Sequence, residues 1–214
     1  MNNIGDLAAA PRDFVEALGA LRRAALRPEV GLAEIPAPAN LAPYGVALSA
    51  DVLEPAAQRA GSLHGPAAAF LRQPAEEQRE LATGRFILLH DPAGSPVWDG
   101  TFRIVTYIRA ELDADMGNDE LVGTVAWTWL SDALHEHRAV YSNAGGTATR
   151  VLSESFGTLS NRPGTIDIEL RASWTPATAD VTAHLEAWAD MVCAFAGLPP
   201  LPPGVTALPR RRLN

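Results

Sequence analysis

The chain has 214 residues, 47% of them hydrophobic and 20% charged, a length and balance that suit one soluble domain with appendages. All 17 basic residues are arginine, which excludes a lysine Schiff base, a Walker-type phosphate loop and a lysine general base. The formal net charge of −8 opposes broad binding to nucleic acid, and the single cysteine, Cys193, excludes an internal disulfide or a thiolate metal cluster.

The opening MNNIGDLAAAPRDF has no basic n-region and does not read as a secretory leader, and no apolar run approaches the ~18 residues of a membrane helix. These features predict a cytoplasmic protein with no membrane partner. A first helix is expected from about Pro11 to Leu26, its apolar stripe formed by Phe14, Leu18, Leu21 and Ala25. GLAEIPAPANLAPYG, rich in proline, should run as an extended strap, and VALSADV (46–52) as a short strand. Residues 54–83 show little periodicity and read as a mobile excursion with one helical piece near Ala75–Leu81.

RFILLH (85–90) and TFRIVTYIRA (101–110) read as two strands of a hairpin joined by the turn formers DPAGSPVWDG. ELVGTVAWTWLSDALHEH (120–137) is helical in pattern, behind a candidate cap at Asn118. The turn SNAGG leads into TATRVLSESFG (147–157), which pairs with TIDIELRASW (165–174). A last helix carries Val181, Leu185, Trp188, Val192 and Phe195 in line and is closed by Gly197 and Pro199, before a Pro/Arg-rich tail at about 198–214. This order, α-β-ββ-α-ββ-α, predicts one α+β domain over residues 1–214: an antiparallel sheet of about five strands with helices mainly on one face.

In element order alone the string resembles the type III secretion chaperones. A closer resemblance lies in ELATGRFILLHDPAG, WDGTFRIVTYIRAEL, VAWTWLSDAL, SESFG, IELRASWTP, AHLEAW and CAFAGLPPLPPGV. On these strings the chain resembles the actinobacterial family catalogued as domain of unknown function 3000, which brings no assigned activity or catalytic residues. The gene neighbours of that family imply, as a third reading, an accessory role in RNA metabolism.

TIDIELRASW alternates strictly, placing Asp167, Glu169 and Arg171 on a wet face and Ile166, Ile168, Leu170 and Trp174 on a greasy one. Arg103, Tyr107 and Arg109 likewise share one side of their strand. If the two wet sides coincide, carboxylates and arginines share a surface, with Asp167 and Glu169 as candidate catalytic groups and Arg103, Tyr107, Arg109 and Arg171 as binding groups. Solvent exposure alone also produces such a face, laced by cross-strand ion pairs.

Trp127 and Trp129 point to nearly opposite sides of one helix, so either the helix is sandwiched or Trp127 belongs to an interface. His135 and His137 lie roughly 200° apart round a helix and cannot share an ion, so no metal site is expected and the histidines read as solvated or capping. SNAGGTATR precedes a strand and not a helix, which favours a hairpin-type turn over a phosphate loop. No nucleophile–base pair stands out. The expectation is a cofactor-free module that binds another protein, or a second copy of itself, in the manner of a chaperone. The alternative is an enzyme or small-anion binder using the carboxylate/arginine cluster.

Overall fold

The computed structural model describes residues 10–54, 79–117 and 119–200. In chain order they form α1 (Arg12–Arg23), β1 (Val30–Ile35), β2 (Tyr44–Leu53), β3 (Glu80–Ser95), β4 (Gly100–Leu112), a single turn α2 (Ala114–Gly117), α3 (Val122–Glu136), β5 (Tyr141–Ser153), a 3₁₀ turn at Gly157–Leu159, β6 (Thr165–Pro176) and α4 (Thr182–Phe195). The strands make one antiparallel sheet in the order β1-β2-β3-β4-β6-β5. The fold is α+β, as its pattern of elements requires, with six strands.

The sixth strand comes from the segment expected to be a strap. Val30–Ile35 pairs with β2 at the sheet's outer edge, and Pro36 and Pro38 follow it, so the prolines end an edge strand and interrupt no ladder. Two further expectations need correction. Glu80–Thr83 is not part of an irregular excursion or of a helix, because it opens β3 and pairs with β2, while residues 55–78 lie outside the described residues. SNAGG is not a hairpin turn either. Ser142–Gly146 lies inside β5, where the register shifts between Ser142 and Gly145 as a bulge. The strand ends at Ser153, short of the end of the expected stretch TATRVLSESFG. Asn118 lies outside the described residues, and the backbone N–H of Leu121, at the start of α3, bonds Asp119 Oδ1 at 2.8 Å.

Strand parity decides where the core sits. Leu48, Ala50 and Val52 of β2, Phe86 and Leu88 of β3, Ile104 and Ile108 of β4, and Ile168, Leu170 and Trp174 of β6 turn to one face and join the buried residues of the helices. Trp174 and Trp188 are fully buried there, and each large apolar side chain so buried contributes roughly 1.5–3 kcal/mol, enough to fix the register of its strand. Helix α4 carries most of this load. It buries Leu185, Trp188, Val192 and Phe195, and at Gly84 an added Cβ would stand 2.6 Å from the Trp188 ring.

Helix α3 lies close over β5 because both surfaces are small there: a Cβ on Gly123 would sit 3.4 Å from that of Ala148. The helix is sandwiched, which resolves the two tryptophans. Trp127 packs beside Gly146 of β5, and Trp129 meets Phe195 of α4 edge-on at 5.5 Å between centroids. Both indoles are half-buried against the core.

The histidines read as solvated or capping divide differently. His90 is buried among Phe14, Tyr44 and Phe102, its Nδ1 3.0 Å from the Thr101 carbonyl, and His184 is buried beside Trp174. His137 does cap, at the C-terminus of α3. Cys193 is fully buried, and burial pushes its thiol up to about 12, which keeps it protonated and unreactive.

Candidate functional site

The other face of the sheet carries no helix among the described residues. On β4 it presents Arg103, Val105, Tyr107 and Arg109, and on β6 Asp167, Glu169, Arg171, Ser173 and Thr175, so the two wet sides do coincide. Cross-strand pairing arranges them in rows. One row runs Ser49, Arg85, Tyr107, Arg171, Thr147; the next runs Asp51, Thr83, Arg109, Glu169, Thr149; on the other side lie Ile87, Val105, Ser173 and Gly145.

The carboxylates are bound by arginines. Asp167, nearly buried, takes Arg109 Nη2 at 2.7 Å on its Oδ2, and Glu169 takes Arg171 Nη2 at 2.8 Å from two residues along its own strand. Glu111 faces Asp167 across the pair and is held by Arg79 at 3.3 Å. Tyr107 lies under the Arg171 guanidinium, 5.2 Å from carbon to ring centroid. Burial first, and then the neighbouring Glu169 carboxylate, raise the Tyr107 pKa, so the phenol stays neutral.

Arg103 is placed apart from the acids. It donates to the Asn143 carbonyl at 2.9 Å, to Thr175 Oγ1 at 3.0 Å and to Ser173 Oγ at 2.6 Å, all neutral oxygens. Thr175 in turn donates to the Trp98 carbonyl at 2.6 Å, which also accepts from the Asn143 amide at 3.1 Å. This network ties the β5 bulge to the β3–β4 turn. Desolvation lowers the Arg103 pKa, as expected for a guanidinium whose partners are all uncharged.

Between these groups the sheet is hollowed. An open depression of about 560 Å³ is lined by Arg85, Arg171, Tyr107, Ile87, Val105 and Ser173, with the backbone of Gly145 and Gly146 as one wall. Arg85 makes no ion pair or hydrogen bond among the described residues. Arg85 was not singled out from the sequence, whereas Ser173 was read only as part of the wet row of TIDIELRASW and the two glycines only as a hairpin-type turn. Only the pairing of Arg85 with Tyr107, and of Gly145 with Ser173, brings them to this place.

Of the residues read from sequence, Tyr107 and Arg171 line the hollow. Arg103 adjoins it through Ser173, and Arg109, Asp167 and Glu169 form the ion-paired band beside it. Trp127 stands on the helix side of the sheet, behind Gly146. Among the described residues no three His, Cys, Asp or Glu side chains gather to hold a metal ion, and no helix is long and apolar enough to cross a membrane.

Fold and face together define a one-sided antiparallel α+β sheet protein whose bare face separates an arginine-rimmed hollow from a band of ion pairs. The chain belongs to the family described as protein of unknown function (DUF3000), whose family model matches residues 10–206. No curated protein and no solved structure matches it.

Proposed function

We propose that the protein is a cytoplasmic, chaperone-like binding module that takes an extended segment of a partner protein on the edge strand β5. One observation carries this reading: β5 is a long sheet edge without the usual guards. It is exposed along most of its 13 residues, and among the described residues no strand lies beside one side of its backbone ladder. Such edges recruit further strands unless charge, proline or a bulge blocks them.

Here the guards are missing over Gly145–Ser153. The segment contains no proline, the bulge lies before it, and its single charge is used elsewhere, since Arg150 Nη1 donates to the carbonyls of Gly117 at 3.3 Å and Asp119 at 3.0 Å. Leu152 at 65% exposure and Phe156 at 76% offer apolar contact at the same end. The opposite edge, β1, is only six residues long and carries Glu34.

The test is affinity purification of the intact protein from its host, followed by hydrogen exchange with the partner that co-purifies. The reading expects slowed exchange along Gly145–Ser153, and loss of the partner in Leu152→Lys, a change at an exposed position that sets a cation on the edge. Protection confined to another surface, or equal capture by the variant, rejects it. If the co-purifying chain is a second copy, sedimentation shows a dimer that Leu152→Lys dissociates.

A further inference from the structure

We propose that the hollow on the open face of the sheet binds a small organic anion. Arg85, Arg171 and Ser173 would hold its carboxylate or phosphate group, and Ile87 and Val105 would support its apolar body. The site lies on a different surface from the β5 edge and stands without it.

Four observations converge. First, among the described residues the arginines around the hollow are only partly compensated by carboxylates. Arg85 has no acidic partner among the described residues, and Arg103, two rows away, spends its hydrogen bonds on neutral oxygens. Arg171 gives one nitrogen to Glu169 and keeps the other edge of its planar fork. In a protein of net charge −8 this is a local reversal of sign, which focuses anions toward the hollow.

Second, Ser173 is primed as a donor. Its Oγ accepts a 2.6 Å charge-assisted bond from Arg103, while its own O–H has no acceptor among the described residues. An oxygen that accepts from a cation is a stronger donor in turn. Third, the lining is of mixed chemistry: it combines two arginines, Ser173 and Tyr107 with the apolar side chains of Ile87 and Val105. At about 560 Å³ it has the volume of a small-molecule site.

The fourth observation concerns the two glycines of the wall. Gly146 is required by the fold, because a Cβ there would stand 2.6 Å from the Arg171 carbonyl oxygen and 2.9 Å from the Trp127 ring. Gly145 is not. A Cβ there meets nothing within 4 Å, and its φ is not positive, so neither packing nor backbone conformation calls for glycine. Gly145 pairs with Ser173 on the open face, so a side chain at this position would rise beside the hollow. Its absence keeps the hollow clear.

Calorimetric titration of the full chain with phenyl phosphate and with benzoate tests the site, with inorganic phosphate and phenol as separate arms. Saturable binding of at least one aromatic anion is expected, tighter than that of inorganic phosphate or phenol. Arg85→Gln should weaken it by about tenfold, the effect of one charge-assisted contact, and Gly145→Val should abolish it. Both positions are exposed, so unchanged circular dichroism and Tm certify that each variant is folded. The proposal is overturned if neither aromatic anion saturates, if inorganic phosphate binds as tightly as phenyl phosphate, or if folded Arg85→Gln and Gly145→Val bind as the native chain does.

Discussion

Trp174 Nε1 donates to His184 Nδ1 across 3.1 Å inside the core, joining β6 to α4 where both side chains are buried. This bond needs His184 Nδ1 unprotonated, and burial lowers the pKa of the ring to about 4. In the unfolded chain the same ring titrates near 6.5, so between those two values the unfolded state takes up the extra proton. Stability from this group is therefore full above pH 6.5 and is lost as pH falls toward 4, by roughly 3 kcal/mol across the window. In His184→Gln, whose amide oxygen can still accept from Trp174, Tm measured from pH 7 to 4 should fall less steeply than in the native protein. An unchanged slope would mean that His184 does not set the acid limb.

His137 works with the opposite sign. Its Nε2 lies 2.8 Å from Asp190 Oδ2 and its Nδ1 3.6 Å from Glu186, so it clips the end of α3 to α4. The hydrogen bond to Asp190, against an opposing desolvation, raises its pKa above 6.5. A raised folded value means stability that is complete below pH 6.5 and is lost as pH rises through the folded pKa. Asp190 is 44% exposed, so solvent screening holds the contribution to about 1 kcal/mol or less. His137→Gln should lower Tm at pH 6 and leave it nearly unchanged at pH 9. Equal losses at both pH values would assign His137 a packing role instead.

The two wall glycines make a paired prediction. Gly146→Ala forces a carbon against the Arg171 backbone and should destabilise by about 2 kcal/mol, within the usual range for overpacking. Gly145→Ala meets open space and should change stability by no more than about 0.5 kcal/mol. Urea denaturation midpoints of the two variants decide the matter, and a Gly145→Ala as costly as Gly146→Ala would contradict the geometry of the bulge.

What was legible in the sequence was what is local. Strict alternation in TIDIELRASW and TFRIVTYIRA identified both strands and sorted their residues between faces, because a period of two needs no knowledge of the partner. Which residues meet across the strands depends on register, which the buried Ile104, Ile108, Leu170 and Trp174 set from the other side of the sheet. Arg109 thus reaches Asp167, while Arg103 finds only neutral partners. Arg85 escaped notice because RFILLH reads as an apolar run, where parity is ambiguous. SNAGG carries turn chemistry, and Asn143 does adopt a positive φ of 50°, yet the same preference serves a bulge within a strand that continues back to Tyr141. Val30–Ile35 became a strand through pairing with β2, a tertiary effect with no local signature.

Arg109 and Asp167 differ sharply in exposure, at 53% and 9% for their side chains, and that asymmetry predicts unequal costs. Removing the acid in Asp167→Ala leaves an arginine that water can solvate, so the loss should be about 1 kcal/mol or less. Removing the base in Arg109→Ala strands a nearly buried carboxylate beside Glu111 and Glu169, which flank it across the pair and along the strand. That should cost about 2–3 kcal/mol, less than for a pair sealed from water. Adding Asp167→Ala to Arg109→Ala should then restore much of the loss, giving a double variant more stable than Arg109→Ala alone. Denaturation of the native chain, the two single variants and the double variant under one buffer measures this directly. If the double variant is less stable than Arg109→Ala, the buried charge is not what Arg109 offsets.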